Sequence, residues 1–148
     1  MLGALARKLR ALGLDTAYYR SGDDNGLLSL AETSGRIILT SDRELAARAV
    51  SRGGQVVLVT GRNDRERIRV LARFLRDSNL HLGPGDPYCA VCGKLLQRVS
   101  RAQVSGKVPP SVAMRHRLFY ACEACGKVYW RGSHWKRLRA MASILRGD

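Results

Sequence analysis

The sequence predicts an α/β fold, a parallel sheet flanked by helices, followed by a small module built around four cysteines. Three observations carry this. Residues 1–82 alternate helix-period segments with two β-branched runs, RIILT (36–40) and QVVLVT (55–60), as in strands buried on both faces. A Cys-x-x-Cys-Gly-Lys turn occurs twice, at 89–94 and 122–127. Between these regions lies Gly83-Pro84-Gly85-Asp86-Pro87, a linker by composition. The expected domains are therefore 1–82 and 88–148, joined by 83–87.

Leu2, Leu5, Leu9 and Leu12 recur at helical spacing, and Gly13 is a stop signal. An extended piece is expected at 16–20. Gly22, Asp23 and Asp24 open a second helix whose apolar face is Leu27, Leu28, Leu30 and Ala31, closed by Gly35. After the strand at 36–40, Ser41-Asp42-Arg43-Glu44 reads as a capping box launching a helix to about residue 51. After the strand at 55–60, Asn63 or Asp64 caps a helix running to about residue 76, with Ile68, Leu71, Ala72 and Leu75 inward. Beyond the linker, short strands are expected near 95–99 and 118–121, an inserted hairpin or loop at 106–110, and a basic helix from about Ser133.

The net charge of +14 points to a polyanionic partner, nucleic acid before an anionic membrane surface. Residues 1–82 hold 14 Lys/Arg against 9 Asp/Glu, and residues 83–148 hold 12 against 3. The first part thus keeps carboxylates that could do chemistry, while the second reads as a docking surface. No apolar run approaches the roughly 18 residues of a membrane span. The first 13 residues scatter Arg7, Lys8 and Arg10 among leucines. That pattern lacks a secretory core and fits either a folded helix or a transit peptide. A reducing cytoplasm is the expected setting, where paired cysteines suggest metal.

Cys89, Cys92, Cys122 and Cys125 are the expected zinc ligands. Two-residue spacing lets both thiolates of a tight turn face one ion, and the following Gly93 or Gly126 permits a left-handed turn. Two such turns close a tetrahedral four-thiolate site with no open position, a structural role. Disulfides, free core thiols and iron in the same cage are the alternatives. With four cysteines available, neither His116 nor His134 is expected to bind the metal.

Asp42 lies just past one expected strand, Asp64 just past the other, and Asp24 opens a helix. Ligands in α/β sheets gather at the carboxyl ends of strands. Carboxylates clustered there suit Mg2+ or Mn2+, which activates water and stabilises a phosphoryl oxygen. Acids at helix starts are also ordinary caps.

Residues 1–16 (MLGALARKLRALGLDT) resemble the opening of the Mut-seven carboxy-terminal RNase family, a PIN-like nuclease domain joined to a zinc ribbon. Residues 37–45 (IILTSDREL) resemble its second motif, and 122–135 (CEACGKVYWRGSHW) its closing one. The resemblance spans almost the whole chain in order. It implies a PIN-like sheet, metal-dependent RNase activity, and Asp24 and Asp42 among the acids facing the metal. Asp15 also falls in a family motif, ahead of an expected strand. Members of that family begin with an acid-bearing strand before the Met-Leu-Gly segment, whereas this chain begins at the Met. The resemblance therefore implies either an earlier natural start or a form that binds RNA without cutting it well.

Tyr129, Trp130 and Trp135 alternate with Lys127, Arg131, Lys136 and Arg137, with Arg139 and His134 nearby. Rings stack on unpaired bases while cations hold phosphates. The alternative is that Trp130 or Trp135 packs over the zinc turn. The expected function is an RNA-binding, metal-dependent endoribonuclease, with transfer or ribosomal RNA as candidate targets. The runners-up are a non-catalytic RNA- or ribosome-binding zinc protein and a zinc module that contacts protein.

Overall fold

The parallel sheet forms where the sequence is richest in β-branched residues. β1 (Ile38–Thr40) and β2 (Val56–Leu58) pair in parallel, with Ile38 opposite Val56 and Thr40 opposite Leu58. The computed structural model describes residues 2–80 and 85–148, so Gly83 and Pro84 of the expected linker lie outside the described residues. The helices are α1 (Gly3–Ala11), α2 (Asp24–Ser34), α3 (Arg43–Ser51) and α4 (Asp64–Asp77), then α5 (Pro110–Arg115) and α6 (Trp135–Arg146). The chain forms two compact units. One comprises Met1–Leu2, Tyr18–Leu82 and Ser143–Asp148; the other comprises Gly3–Ala17 and Gly83–Ala142.

In the first unit α3 packs on both strands and α4 on β2. Leu28 of α2, Ile38 of β1, and Leu45 and Ala49 of α3 are buried together. Ile68, Leu71, Ala72 and Leu75 form the buried face of α4, as their spacing predicts. Full burial of each large aliphatic side chain contributes about 1.5–3 kcal/mol. One cap differs in detail from expectation: Asp42 rather than Ser41 is the N-cap of α3. Asp23 caps α2, which opens at Asp24 as expected. In each case an acid one position before the first helical residue reaches two free amide N–H groups. Asn63 caps α4.

In the second unit β3 (Gln97–Val99), β4 (Phe119–Ala121) and β5 (Val128–Trp130) make an antiparallel sheet in that order. Alternation along β4 serves both faces. Tyr120 joins Cys89, Leu96 and Cys122 in one cluster, while Phe119 joins Val104 and Val108 in another. The loop expected at 106–110 runs between a 3-10 turn (Ala102–Val104) and α5, and this region adds Val104 and Val108 to the cluster around Phe119. Residues 16–20 form no strand. The Thr16 carbonyl instead accepts a 2.7 Å hydrogen bond from Nε of Arg10.

Among the described residues no helix is long and apolar enough to cross a membrane.

Candidate functional site

The two cysteine turns are closed by the same backbone bonds. Cys89 N–H donates to the Lys94 carbonyl at 2.7 Å and Gly93 N–H returns to the Cys89 carbonyl at 2.9 Å. Cys122, Lys127 and Gly126 repeat this at 2.9 and 2.8 Å. Both glycines hold positive φ, at 76° and 74°, a conformation that side-chain-bearing residues rarely adopt. Gly93 has a second reason to lack a side chain, because a Cβ there would lie 3.0 Å from Nη2 of Arg10.

These turns bring the four Sγ atoms within 4.8 Å of one another. Cys89 faces Cys125 at 3.5 Å and Cys92 faces Cys122 at 3.4 Å. All four are free thiols, not disulfides. Zn–S bonds of about 2.3 Å in a tetrahedron require sulfurs a little under 4 Å apart, so this donor set fits one zinc ion with every position filled. Cys89 and Cys122 are buried, Cys92 and Cys125 exposed, so one side of the donor set opens to solvent.

Two groups support the thiols. The Tyr129 hydroxyl lies 3.2 Å from Sγ of Cys89. Burial and the neighbouring Cys89 sulfur push the Tyr129 pKa upward, so the phenol keeps its proton and donates to sulfur. Burial alone would raise the Cys89 thiol; the Tyr129 hydroxyl and the amides of Cys92 and Val91 outweigh it and bring the thiol down to about 6. The Lys127 amide lowers Cys125, but burial and the sulfur–sulfur contacts outweigh it and move that thiol to about 11. One thiolate is favoured and shares its neighbours' protons.

The second support is Arg10 of α1, only 7% exposed. Its guanidinium donates to the carbonyls of Thr16 and of Ala90, the latter inside the first cysteine turn at 3.0 Å. Its own carbonyl accepts the Tyr88 N–H at 2.9 Å. A cation buried here is hydrogen-bonded on both sides, as buried charge must be. A four-thiolate zinc centre carries two net negative charges, and Arg10 lies where it can offset part of them. Neither Arg10 nor Tyr129 was identified from the sequence as part of this site. Tyr129 could have been found from strand alternation, since Val128 packs with Phe119 while Tyr129 turns to the cysteines.

The acids lie in the first unit. Oδ1 of Asp42 accepts N–H bonds from Glu44 and Leu45 at 2.9 and 3.1 Å, and its own N–H donates to Oγ1 of Thr40 at 3.0 Å. Oδ2 of Asp24 pairs with Arg48 of α3 at 3.2 Å, and the same guanidinium bonds Asn25. Oδ1 of Asp64 pairs with Arg67 at 3.2 Å in a half-buried contact. Among the described residues the four cysteines are the group of three or more potential ligands placed to hold a metal; the three carboxylates are not gathered into another. The fit to Mg2+ or Mn2+ is therefore partial. Asp42 Oδ2 and Asp24 Oδ1 make no hydrogen bond among the described residues, and a third ligand is not brought to them.

The basic, aromatic segment lies in the second unit. Trp130 closes β5 and is 36% exposed. The Arg131 guanidinium lies over the Trp135 ring, 4.5 Å from its centroid, so that ring face is already covered. Lys127, Arg131, His134, Lys136, Arg137 and Arg139 are all exposed, while Trp135 is half-buried. The segment offers one exposed ring for stacking and a set of exposed cations.

A family model described as Mut7-C RNAse domain matches residues 1–142. No curated protein and no solved structure matches the chain.

Proposed function

This chain belongs to the Mut7-C RNase domain family, and from that premise we propose that it is an RNA-binding endoribonuclease that hydrolyses phosphodiester bonds in a divalent-ion-dependent way. Residues 1–82 carry the cleavage in this reading, with Asp24, Asp42 and Asp64 as its acids. Residues 88–148, folded around zinc, hold RNA through Trp130 and the cations from Lys127 to Arg139. The observation that carries the reading is the family match over 142 of 148 residues.

Two structural details support the acids. Asp42 caps α3 through Oδ1 alone, which leaves Oδ2 for a cation. The Asp24–Arg48 pair is exposed, and exposed pairs contribute only about 0–1 kcal/mol, so a cation can replace Arg48 at small cost. Mg2+ or Mn2+ held there would supply a Lewis acid for the phosphoryl oxygen. Thr40 fixes the backbone that presents Asp42.

A second reading, RNA binding without cleavage, is favoured by the ordinary capping and pairing of these same acids. The test is cleavage of RNA by the full chain with Mg2+ or Mn2+ added. The nuclease reading expects cutting that disappears in Asp42→Asn while RNA binding persists. Cutting that survives in that variant, or no metal-dependent cutting at all, leaves the binding reading.

A further inference from the structure

Helix α4, in the first unit, carries a further cationic surface. Arg65, Arg69, Arg73 and Arg76 are all exposed, and Arg62 extends the row into the preceding loop. At about 100° per residue the four helical positions fall within an arc of about 80°, one stripe along the helix. From Arg65 to Arg76 the stripe runs roughly 17 Å, with successive charges about 6 Å apart at 1.5 Å rise per residue.

The stripe is not neutralised locally. Asp64 is committed to Arg67, and Glu66 to the Arg62 backbone N–H and the Asn63 amide. That leaves Asp77 at the far end as the other acid of this helix. Among the described residues the side chains of Arg62, Arg65, Arg69, Arg73 and Arg76 make no hydrogen bond or ion pair. Helix propensity does not require this. Arginine is a good helix former, but four like charges on one face repel, and i,i+4 pairs of like charge destabilise a helix by a few tenths of a kcal/mol each. The usual remedy of interleaved Glu is missing from the stripe.

We propose that this arginine face of α4 is a docking track for the phosphate backbone of RNA, in the same unit as Asp24, Asp42 and Asp64. A straight row of evenly spaced, unpaired guanidinium groups complements a linear polyanion, and Arg binds phosphate through a bidentate fork. The row begins at Arg62 and Arg65, the residues that bracket Asp64 in the chain. A strand lying along it would be held without regard to sequence, because phosphate contacts position rather than specify. The proposal rests on the RNA reading above.

The test is binding of a labelled single-stranded RNA to the full chain, followed by fluorescence anisotropy from about 50 to about 200 mM salt. Replacing Arg65, Arg69 and Arg73 together with Gln should weaken binding roughly tenfold or more at the low-salt end. It should also reduce the slope of log affinity against log salt by about two, since each neutralised phosphate of a single strand contributes about 0.7. The matching triple Lys variant should keep the slope, which separates loss of charge from loss of fold. If the Gln variant keeps the wild-type slope while Lys136→Ala, Arg137→Ala and Arg139→Ala together reduce it, RNA binding stands and the α4 track is wrong. If the wild-type chain shows no salt-dependent RNA binding, the RNA reading and the track fall together.

Discussion

The guanidinium of Arg10 and the carbonyl of Ala90 are joined by a 3.0 Å hydrogen bond across 80 residues of chain. Ala90 lies between the first two cysteines, so the shape of the metal turn and the seating of α1 depend on each other. Chelating zinc, or replacing Cys92 with Ser, should therefore release α1 along with the cysteine turns. Hydrogen exchange should quicken together over residues 3–14 and 88–96, while α3 amides stay protected. Structural zinc contributes on the order of 10 kcal/mol in small domains, so the change should be large. Metal-free protein with α1 still protected would break the link.

Tyr129→Phe removes the hydroxyl that donates to Cys89 but keeps the ring in its cluster. Loss of such a supporting bond typically lowers metal affinity roughly 10–100-fold. Zinc release to a chromogenic chelator should be faster by a comparable factor, with the far-ultraviolet circular dichroism of the zinc-loaded form unchanged. Equal release rates would assign Tyr129 to packing alone.

Proton release gives a third check. In the metal-free site Cys89, with its pKa at about 6, is mostly thiolate at neutral pH, whereas Cys92 is raised above its ordinary value and Cys125 reaches about 11. The amide of Lys94 pulls Cys92 down, and contact with the other sulfurs outweighs it. Zinc must displace the protons of Cys92 and Cys125, so affinity should rise with pH across the neutral range. Calorimetry at neutral pH, in buffers of different ionisation enthalpy, should find at least about two protons released per zinc. One or fewer would contradict the arrangement.

Asp42 is a cap whatever else it does. Asp42→Ala should cost about 1 kcal/mol of stability, and Asp42→Asn much less, because an amide oxygen caps nearly as well. Thermal unfolding of the two variants measures this directly. Equal losses would mean that charge at the α3 terminus, not the hydrogen bonds, is what counts.

What could be read in the sequence was what a short window contains. The runs around Ile38 and Val57 announce strands because a strand covered on both faces must be apolar and β-branched. Cys89-x-x-Cys92 and Cys122-x-x-Cys125 announce a metal because the spacing is local. Nothing beside Arg10 signals Ala90, and nothing beside Tyr129 signals Cys89, which lies 40 residues away. The piece at 16–20 pairs with no strand, and its Thr16 carbonyl is taken by the side chain of Arg10 six residues earlier. The α4 stripe is legible in the spacing of Arg65, Arg69, Arg73 and Arg76. Weighing charge by halves of the chain hides it, since the same half holds most of the acids.

The Arg10–Ala90 bond also sets an order of events as the chain is made. Residues 3–17 leave the ribosome before the turn that seats Arg10, which is synthesised 80 residues later. Closing a loop of that length costs about 4 kcal/mol of chain entropy before any contact rewards it. Distant pairings of this kind fold late and slowly. During that wait α1 carries Leu5 and Leu9, buried in the finished protein, without their final neighbours. A nascent chain stalled before Cys89 would thus present an exposed leucine face, a target for chaperones, until synthesis of the first cysteine turn lets the helix settle.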